Sequence, residues 1–311
     1  MNSYQKMIKR ISEKLREQSL PYVDSIIIGD NASGKSDVLK TIIESDNKNE
    51  IYFIDAVNRY FSVKQIMKDD CDVNFSKEIS RYRISEENFN KRDTFNYNGT
   101  PKAIEEFYLT YEVELVNLME EFLQIKFICK KNEIEWEALI NEKPMTLSSG
   151  YQAILRIFLE VLYFEKTKGS GMVVIDEIDE FLSAKNSANI FNFLREKFQT
   201  IHFIVTTHSA DLIANSKKAN IVVLEKDTFQ ILDADDFSSI SQTYCIFDSI
   251  FGSKDHKSEK EKLDDELRRL LNNKLSNIWD EEEKEKLDEI KEKNLTKTQK
   301  IIISQIERWS K

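Results

Sequence analysis

The feature that most constrains this chain is a glycine-containing loop between a strand pattern and a helix pattern. Residues 29–36 read Gly-x4-Gly-Lys-Ser. The apolar run 23–28 before the loop is typical of a strand buried on both faces, and 37–44 predicts a helix. Backbone N–H groups at such a helix N-terminus bind phosphate, so the segment predicts a nucleotide-binding loop rather than a chance match.

Each residue type in this loop suits phosphate chemistry. We expect Gly29 and Gly34 to permit the tight turn, Lys35 to reach the β- and γ-phosphates, and Ser36 to offer its hydroxyl to Mg²⁺. The predicted nucleotide-binding residues of the loop are Gly29, Asp30, Asn31, Ala32, Ser33, Gly34, Lys35, Ser36 and Asp37.

A second polar group follows two later strand patterns. Asp176 and Glu177 end the apolar run 172–175, and His208 follows the run 202–205 and two threonines. We expect Asp176 to hold Mg²⁺ together with Ser36, and Glu177 to activate the attacking water. His208 is expected to sense the terminal phosphate. The predicted catalytic residues are Lys35, Glu177 and His208; the alternatives are a solvated strand end and a buried core histidine.

The order of patterns predicts an α/β fold in which a mostly parallel sheet is flanked by helices. We expect a head over residues 1–250, with a small helical lobe inserted at about 58–125, and a C-terminal helical extension over 254–311. Within the head, 108–123 predicts a helix. A hairpin is predicted with strands 126–129 and 133–139 and its turn at residues 131–132.

Composition and charge indicate which cellular compartment and which binding partners suit this chain. The formal net charge is −10, so the surface as a whole repels nucleic acid. Cys71, Cys129 and Cys245 are far apart without CxxC spacing, which argues against a disulfide framework or a zinc site. The N-terminus lacks the apolar core of a signal peptide, and no run suits a membrane helix. We expect a cytoplasmic protein.

The segment 147–152, Leu-Ser-Ser-Gly-Tyr-Gln, looks like the signature sequence of ABC-type ATPases, usually written Leu-Ser-Gly-Gly-Gln. With the other motifs, it makes residues 25–232 resemble the soluble ABC-type ATPases related to the SMC/RecF group and to the overcoming-lysogenization-defect (OLD) family. The departures at Ser149 and Tyr151 argue against a transporter. The spacing between the loop and the signature leaves no room for long coiled-coil arms.

The resemblance implies a homodimer or higher oligomer in which two heads enclose two ATP molecules with Mg²⁺. Ser148 and Gly150 would then act in trans on the nucleotide held by the partner head. Asp179 would cross the dimer interface, unless it is only a helix N-terminal aspartate. Gln65 and Arg59 are competing candidates for a second phosphate-reaching residue.

The function implied is an ATP-binding and ATP-hydrolysing head that controls a separate effector protein, a nuclease or toxin. Family analogy suggests bacterial anti-phage defence. One alternative is a recombination-type ATPase that contacts nucleic acid through the basic and aromatic stretch 77–97, with Arg81, Arg83 and Arg92. The other alternative is an ATP-gated scaffold with little turnover, against which Glu177 argues.

Overall fold

The computed structural model describes residues 2–48, 50–56, 61–66, 75–76, 78–88, 104–237, 259–293 and 295–309. The chain divides into two compact units, the first formed by residues 1–38 and 213–311 and the second by residues 39–212. The strands are β1 (Ser25–Gly29), β2 (Ile51–Asp55), β3 (Phe127–Lys131), β4 (Trp136–Ile140), β5 (Lys143–Pro144), β6 (Gly171–Asp176), β7 (Ile201–Thr206), β8 (Asn220–Leu224) and β9 (Phe229–Asp233).

Ten α-helices are defined within these residues, and short 3-10 turns lie at Val63–Gln65, Ile104–Phe107 and Ala234–Asp236. The helices are α1 (Ser3–Arg16), α2 (Lys35–Glu44), α3 (Glu78–Ile84), α4 (Glu112–Leu123), α5 (Ser149–Lys168), α6 (Ala184–Lys197), α7 (Ala210–Asn215), α8 (Glu259–Leu275), α9 (Glu281–Lys291) and α10 (Lys297–Arg308).

Unit 1 contains a parallel pair of strands, β1 and β8, and β9 runs antiparallel to β8. Strand β1 is buried along its whole length, as expected for an apolar run covered on both faces. The buried side chain of Asn220 fixes the start of the β1–β8 pair: its Nδ2 donates to the carbonyl oxygens of Tyr22 and Asp24 and to the hydroxyl of Ser25.

The N- and C-terminal helices also belong to unit 1. Helix α1 begins with a capping box between Asn2 and Gln5, which satisfies backbone N–H groups of its first turn. Helices α8, α9 and α10 enclose an apolar core of their own. Asn273 on α8 hydrogen-bonds the backbone of Phe229 and Ile231 on β9. The boundary of a separate extension at residue 254 stays a prediction.

Unit 2 contains three parallel strands in the order β2–β6–β7. With unit 1, this confirms the predicted α/β fold with mostly parallel strands flanked by helices. Helix α5 is 20 residues long, and the twelve residues Ala153–Phe164 are all buried. A helix that is buried on every side is typical of a protein interior.

The antiparallel sheet β3–β4–β5 corrects one sequence expectation. The hairpin turn lies at residues 132–135 rather than 131–132, because Asn132 Oδ1 accepts hydrogen bonds from the N–H groups of Ile134 and Glu135. Helix α4 also begins later than the predicted 108, at Glu112, where Glu112 and Glu114 complement the positive end of the helix dipole.

A buried ion network crosses unit 2. Arg83 on α3 and Glu160 on α5 are both fully buried and share two hydrogen bonds of 2.6 and 3.1 Å. Arg156 bonds Glu160 at 2.5 Å and Glu105 at 3.3 Å. Burial alone would raise the pKa of Glu160, but the two guanidinium groups lower it to about 2. The network therefore stays charged and holds α3 against α5.

Candidate functional site

The phosphate loop follows β1 and ends where α2 begins, both in unit 1 as the sequence predicts. Gly34 has a φ of +104°, a conformation that side chains rarely adopt. A Cβ atom there would lie 2.8 Å from Tyr4 Oη and 2.8 Å from Ile8 Cδ1 of α1. Both the backbone angle and the space therefore require glycine at this position.

Lys35 is held over the loop by the chain itself. Its Nζ donates to the carbonyl oxygens of Gly29 at 2.7 Å and Asp30 at 3.2 Å. Lys35 is only 9% exposed. Within the described residues, the buried Ser33 Oγ makes no hydrogen bond. A cationic amine, a buried hydroxyl without a partner and a helix N-terminus in one loop fit the triphosphate of ATP.

The remaining predicted loop residues face solvent. Asp30, Asn31, Ala32, Ser36 and Asp37 are all exposed, which leaves the mouth of the loop open to a ligand. The hydroxyl of Ser36 and the carboxylate of Asp176 are oxygen donors of the kind that Mg²⁺ prefers.

Asp37 has a contact that the sequence does not reveal. The hydroxyl of Tyr4, on α1, donates a hydrogen bond to the Asp37 carboxylate at the first turn of α2. Partial burial, and then Asp37, raise the pKa of Tyr4 to about 12, so Tyr4 remains a donor at neutral pH. Helix α1 therefore contacts both Gly34 and Asp37.

In unit 2, the acidic turn (residues 176–180) begins where β6 ends. Asp176 is buried, and Glu177 is partly buried with a φ of +50°. Thr206, the last residue of the neighbouring strand β7, donates to Asp176 Oδ1 at 2.6 Å and accepts from the Glu177 N–H at 2.7 Å. Thr206 thus links the carboxylate of Asp176 to the backbone of Glu177.

The other polar groups of the acidic turn also lie near the end of β7. The hydroxyl of Thr207 donates to Asp179 Oδ1. Burial raises the pKa of Asp179, although Thr207 and His208 act in the opposite direction. Burial also raises the pKa of Glu180, and Glu177 and Asp179 add to that rise. His208 is exposed rather than packed in the core, so its ring is available to a ligand.

The signature residues lie at the N-terminus of α5. Ser148 caps this helix by accepting a hydrogen bond from the Tyr151 N–H, and its side chain is exposed. A Cβ atom on Gly150 would lie 3.1 Å from the carbonyl oxygen of Phe181. Phe181 is 50% exposed and has a φ of +64°. Ser148 and Gly150 therefore present a helix N-terminus beside an exposed aromatic ring.

Several weaker sequence candidates have different outcomes. Gln65 is exposed in the 3-10 turn Val63–Gln65. Arg59, Arg92, Cys71 and Cys245 lie outside the described residues, as do residues 77 and 89–97 of the basic stretch 77–97.

The proposed nucleic-acid contact by Arg83 is wrong in this fold. Its guanidinium is fully buried and paired with Glu160, so it cannot reach a phosphate backbone. In sequence, Arg83 looks like a surface residue because it is charged and lies among aromatic residues. Its buried partner, Glu160, is 77 positions away and cannot be recognised from the local sequence.

Comparisons with known proteins agree with the motifs. Residues 87–214 match the family described as "AAA domain, putative AbiEii toxin, Type IV TA system". The chain is 24% identical over 215 residues to Septu protein PtuA of Bacillus mycoides (strain KBAB4), covering 66% of this chain and 28% of that protein. It is 26% identical over 152 residues to the Retron Ec83 probable ATPase of Escherichia coli, covering 46% and 27%.

The chain thus spans only about a quarter of the length of these curated relatives. Among solved structures, an SMC ATPase has a TM-score of 0.34 and 17% identity, covering 49% of this chain and 99% of that one. Within the described residues, no helix has the length and apolar character needed to span a membrane. In sequence, the chain is thus similar to an AAA-domain family and to a protein named as a probable ATPase.

Proposed function

We propose that the protein hydrolyses ATP as a dimer of heads and uses this cycle to control a separate effector protein. The observation that carries the proposal is the phosphate loop, in which Lys35 is held by the carbonyl oxygens of Gly29 and Asp30. An ammonium group fixed in this way needs little reorganisation to bind an incoming phosphate.

Each predicted residue has a defined role in this reaction. The backbone N–H groups of the loop and Lys35 would bind the phosphates, and Ser36 and Asp176 would each offer an oxygen ligand to Mg²⁺. Bound Mg²⁺ neutralises charge on the phosphate oxygens. Glu177 orients the attacking water and accepts its proton, and His208 contacts the terminal phosphate.

The test of the phosphate loop compares two lysines of α2. Lys35→Ala should abolish ATP binding and turnover. Lys40→Ala is the matched control, because Lys40 lies on the same helix, is 35% exposed and pairs with the exposed Glu86 carboxylate at 3.8 Å. Nucleotide binding by fluorescence titration and phosphate release would be measured. Unchanged turnover in Lys35→Ala would overturn the assignment of this loop.

The dimer is supported by the N-terminus of α5, where Ser148 is exposed and Gly150 is partly exposed. An anion contacted by this helix end would have to come from outside it. Ser148→Arg should leave ATP binding intact and suppress turnover, because the larger cation blocks the capping loop. Full activity in that variant would remove the claim of catalysis in trans.

Trapping the closed state tests the same point independently. Glu177→Gln should bind ATP without hydrolysing it, so that the dimer persists. Light scattering with ATP is expected to show twice the mass of the nucleotide-free protein. A Glu177→Gln protein that stays monomeric with ATP, or wild-type turnover per molecule that is constant on extreme dilution, would contradict the dimer.

The proposed role in anti-phage defence rests on the resemblance to OLD-like ATPases and on relatives named as a Septu protein and a retron ATPase. The effector is proposed to be a nuclease or toxin encoded nearby. Co-expression with the adjacent gene should protect cells from phage in plaque assays, and Lys35→Ala should remove that protection. A neighbouring permease, or protection that survives Lys35→Ala, would contradict this role.

A further inference from the structure

Thr206 contacts three consecutive residues of the acidic turn. Its hydroxyl donates to Asp176 Oδ1 at 2.6 Å and accepts from the Glu177 N–H at 2.7 Å. Its backbone carbonyl accepts from the Ile178 N–H at 3.2 Å. Thr206 is fully buried, so water does not compete for these hydrogen bonds.

The direction of each hydrogen bond follows from the groups involved. A backbone N–H can only donate, so the Thr206 hydroxyl must accept from Glu177. The single hydroxyl hydrogen is then directed to Asp176 Oδ1. This arrangement requires an ionised or acceptor oxygen at Oδ1 and fixes the rotation of the Asp176 carboxylate.

The same hydroxyl stabilises an unusual backbone at Glu177. A φ of +50° is uncommon for residues other than glycine and raises the conformational free energy. The hydrogen bond to Thr206 satisfies the N–H that this conformation turns toward β7. The direction of the Glu177 side chain therefore depends on a residue of another strand.

We propose that Thr206 is a positioning residue for hydrolysis: one buried hydroxyl sets the orientation of the metal-binding carboxylate and of the water-activating carboxylate together. This inference rests on the proposed roles of Asp176 and Glu177. Thr206 would act through Asp176 and Glu177, the residues that its hydroxyl contacts. Its loss should slow turnover and weaken the use of Mg²⁺ while leaving ATP affinity unchanged.

Two substitutions separate the hydroxyl from the shape of the side chain. Thr206→Val keeps the branched shape and removes the donor and acceptor, whereas Thr206→Ser keeps the hydroxyl. We expect kcat to fall at least about tenfold in Thr206→Val, equivalent to about 1.4 kcal/mol. The Mg²⁺ concentration for half-maximal turnover should rise severalfold, and the KM for ATP should change less than about twofold. Thr206→Ser should stay within about threefold of wild type.

A control variant measures the effect of losing one buried hydroxyl elsewhere in unit 2. Ser187, on α6, is buried and donates to Ser209 Oγ at 2.7 Å. Ser187→Ala should retain wild-type kcat and Mg²⁺ dependence. If Thr206→Val does not fold, Thr206→Ser still tests the proposal, because a severe loss of kcat in that variant would show that the hydroxyl is not what matters.

The outcomes distinguish this inference from the proposed function. Wild-type kcat and Mg²⁺ dependence in Thr206→Val, with Glu177→Gln inactive, would overturn the role of Thr206 alone. Turnover by Glu177→Gln would instead overturn the proposed roles of the carboxylates. A fall in kcat that is equal in Thr206→Val and Ser187→Ala would indicate a general structural effect and would also reject the positioning role.

Discussion

The phosphate loop and the acidic turn both follow a buried strand, but they are held in different ways. The phosphate loop is stabilised by its own backbone: Lys35 bonds the carbonyl oxygens of Gly29 and Asp30, and the positive φ angles fall on Ala32 and Gly34. The acidic turn places a positive φ on Glu177 and depends on Thr206 from the neighbouring strand.

This difference explains which features are visible in sequence. A loop held by its own residues must carry them at fixed spacing, so a short pattern identifies it. A turn that is held by side chains from another strand can be recognised in sequence only by its functional residues. Neither segment alone indicates that the two strands are neighbours. Removing a side-chain contact from a distant segment should therefore destabilise unit 2. Removing such a contact should leave the conformation of the phosphate loop unchanged.

The largest expected effect tests distant support at its strongest point, the buried pair of Arg83 and Glu160. Arg83→Met should lower the free energy of unfolding by about 3 to 5 kcal/mol, because it leaves Glu160 with less compensation in a fully buried position. The matched control is Arg81→Met on the same helix. Arg81 is 37% exposed and pairs with Glu78 at 3.6 Å, so its loss should cost less than about 1 kcal/mol.

Chemical denaturation of both variants would measure these changes. Equal losses for Arg83→Met and Arg81→Met would mean that the buried network contributes little, and the comparison would lose its main support. Salt-dependent DNA binding that disappears only in Arg81→Met would revive the nucleic-acid alternative.

The second effect concerns the locally held loop. Gly34→Ala should lower the free energy of unfolding by about 2 to 3 kcal/mol. An alanine with a φ of +104° is strained, and its Cβ would lie 2.8 Å from atoms of Tyr4 and Ile8. Gly169→Ala is the control, because Gly169 has a φ of +81° with no atom within 4 Å, and about 1 kcal/mol is expected. Thermal or urea unfolding measures the difference in stability between the two variants. Equal stability would mean that helix α1 moves away from the new Cβ atom.

The strands and helices could be predicted because their patterns are local. The apolar runs 172–175 and 202–205 became the buried strands β6 and β7, and a strand of this kind needs only its own composition to be recognised. The hairpin turn was displaced by the side chain of Asn132, whose hydrogen bonds to nearby N–H groups set this boundary.

The candidate site divides along the same line. The positions of Lys35, Asp176 and Glu177 followed from motif spacing. The support by Thr206 could not be predicted, because it depends on β6 and β7 being neighbours with a particular register. The only local signal was a pair of threonines before His208. The roles of the site residues themselves stay predictions until the variants above are measured.

A third, smaller effect tests whether the acidic turn is strained. Glu177→Gly should be more stable than Glu177→Ala by about 1 kcal/mol, because glycine adopts a φ of +50° without the cost that any side chain incurs. Both variants remove the carboxylate, so both should lose turnover. Their midpoints of urea unfolding give the comparison. Equal stability would mean that the turn relaxes when Glu177 is lost.

The smallest effect is a pH dependence from Asp179 in the same turn. Burial raises the pKa of this carboxyl above its ordinary value of 3.8, so the folded protein binds the proton more tightly than the unfolded chain. The resulting stabilisation is fully present below about 3.8 and is lost as the pH rises through the folded-state pKa. Asp179→Asn cannot titrate, so the stability of wild type relative to this variant should decline across that window.

The hydrogen bond from Thr207 distinguishes a specific effect on the pKa of Asp179 from a general effect of charge. Thr207 lowers the pKa of Asp179 and so partly opposes the effect of burial. Thr207→Val should therefore move the window to higher pH, measured by urea unfolding at a series of pH values with and without Asp179→Asn. A wild-type curve parallel to that of Asp179→Asn at every pH would show that Asp179 titrates normally. The side-chain contact from β7 would then hold the backbone of the acidic turn without tuning its charge.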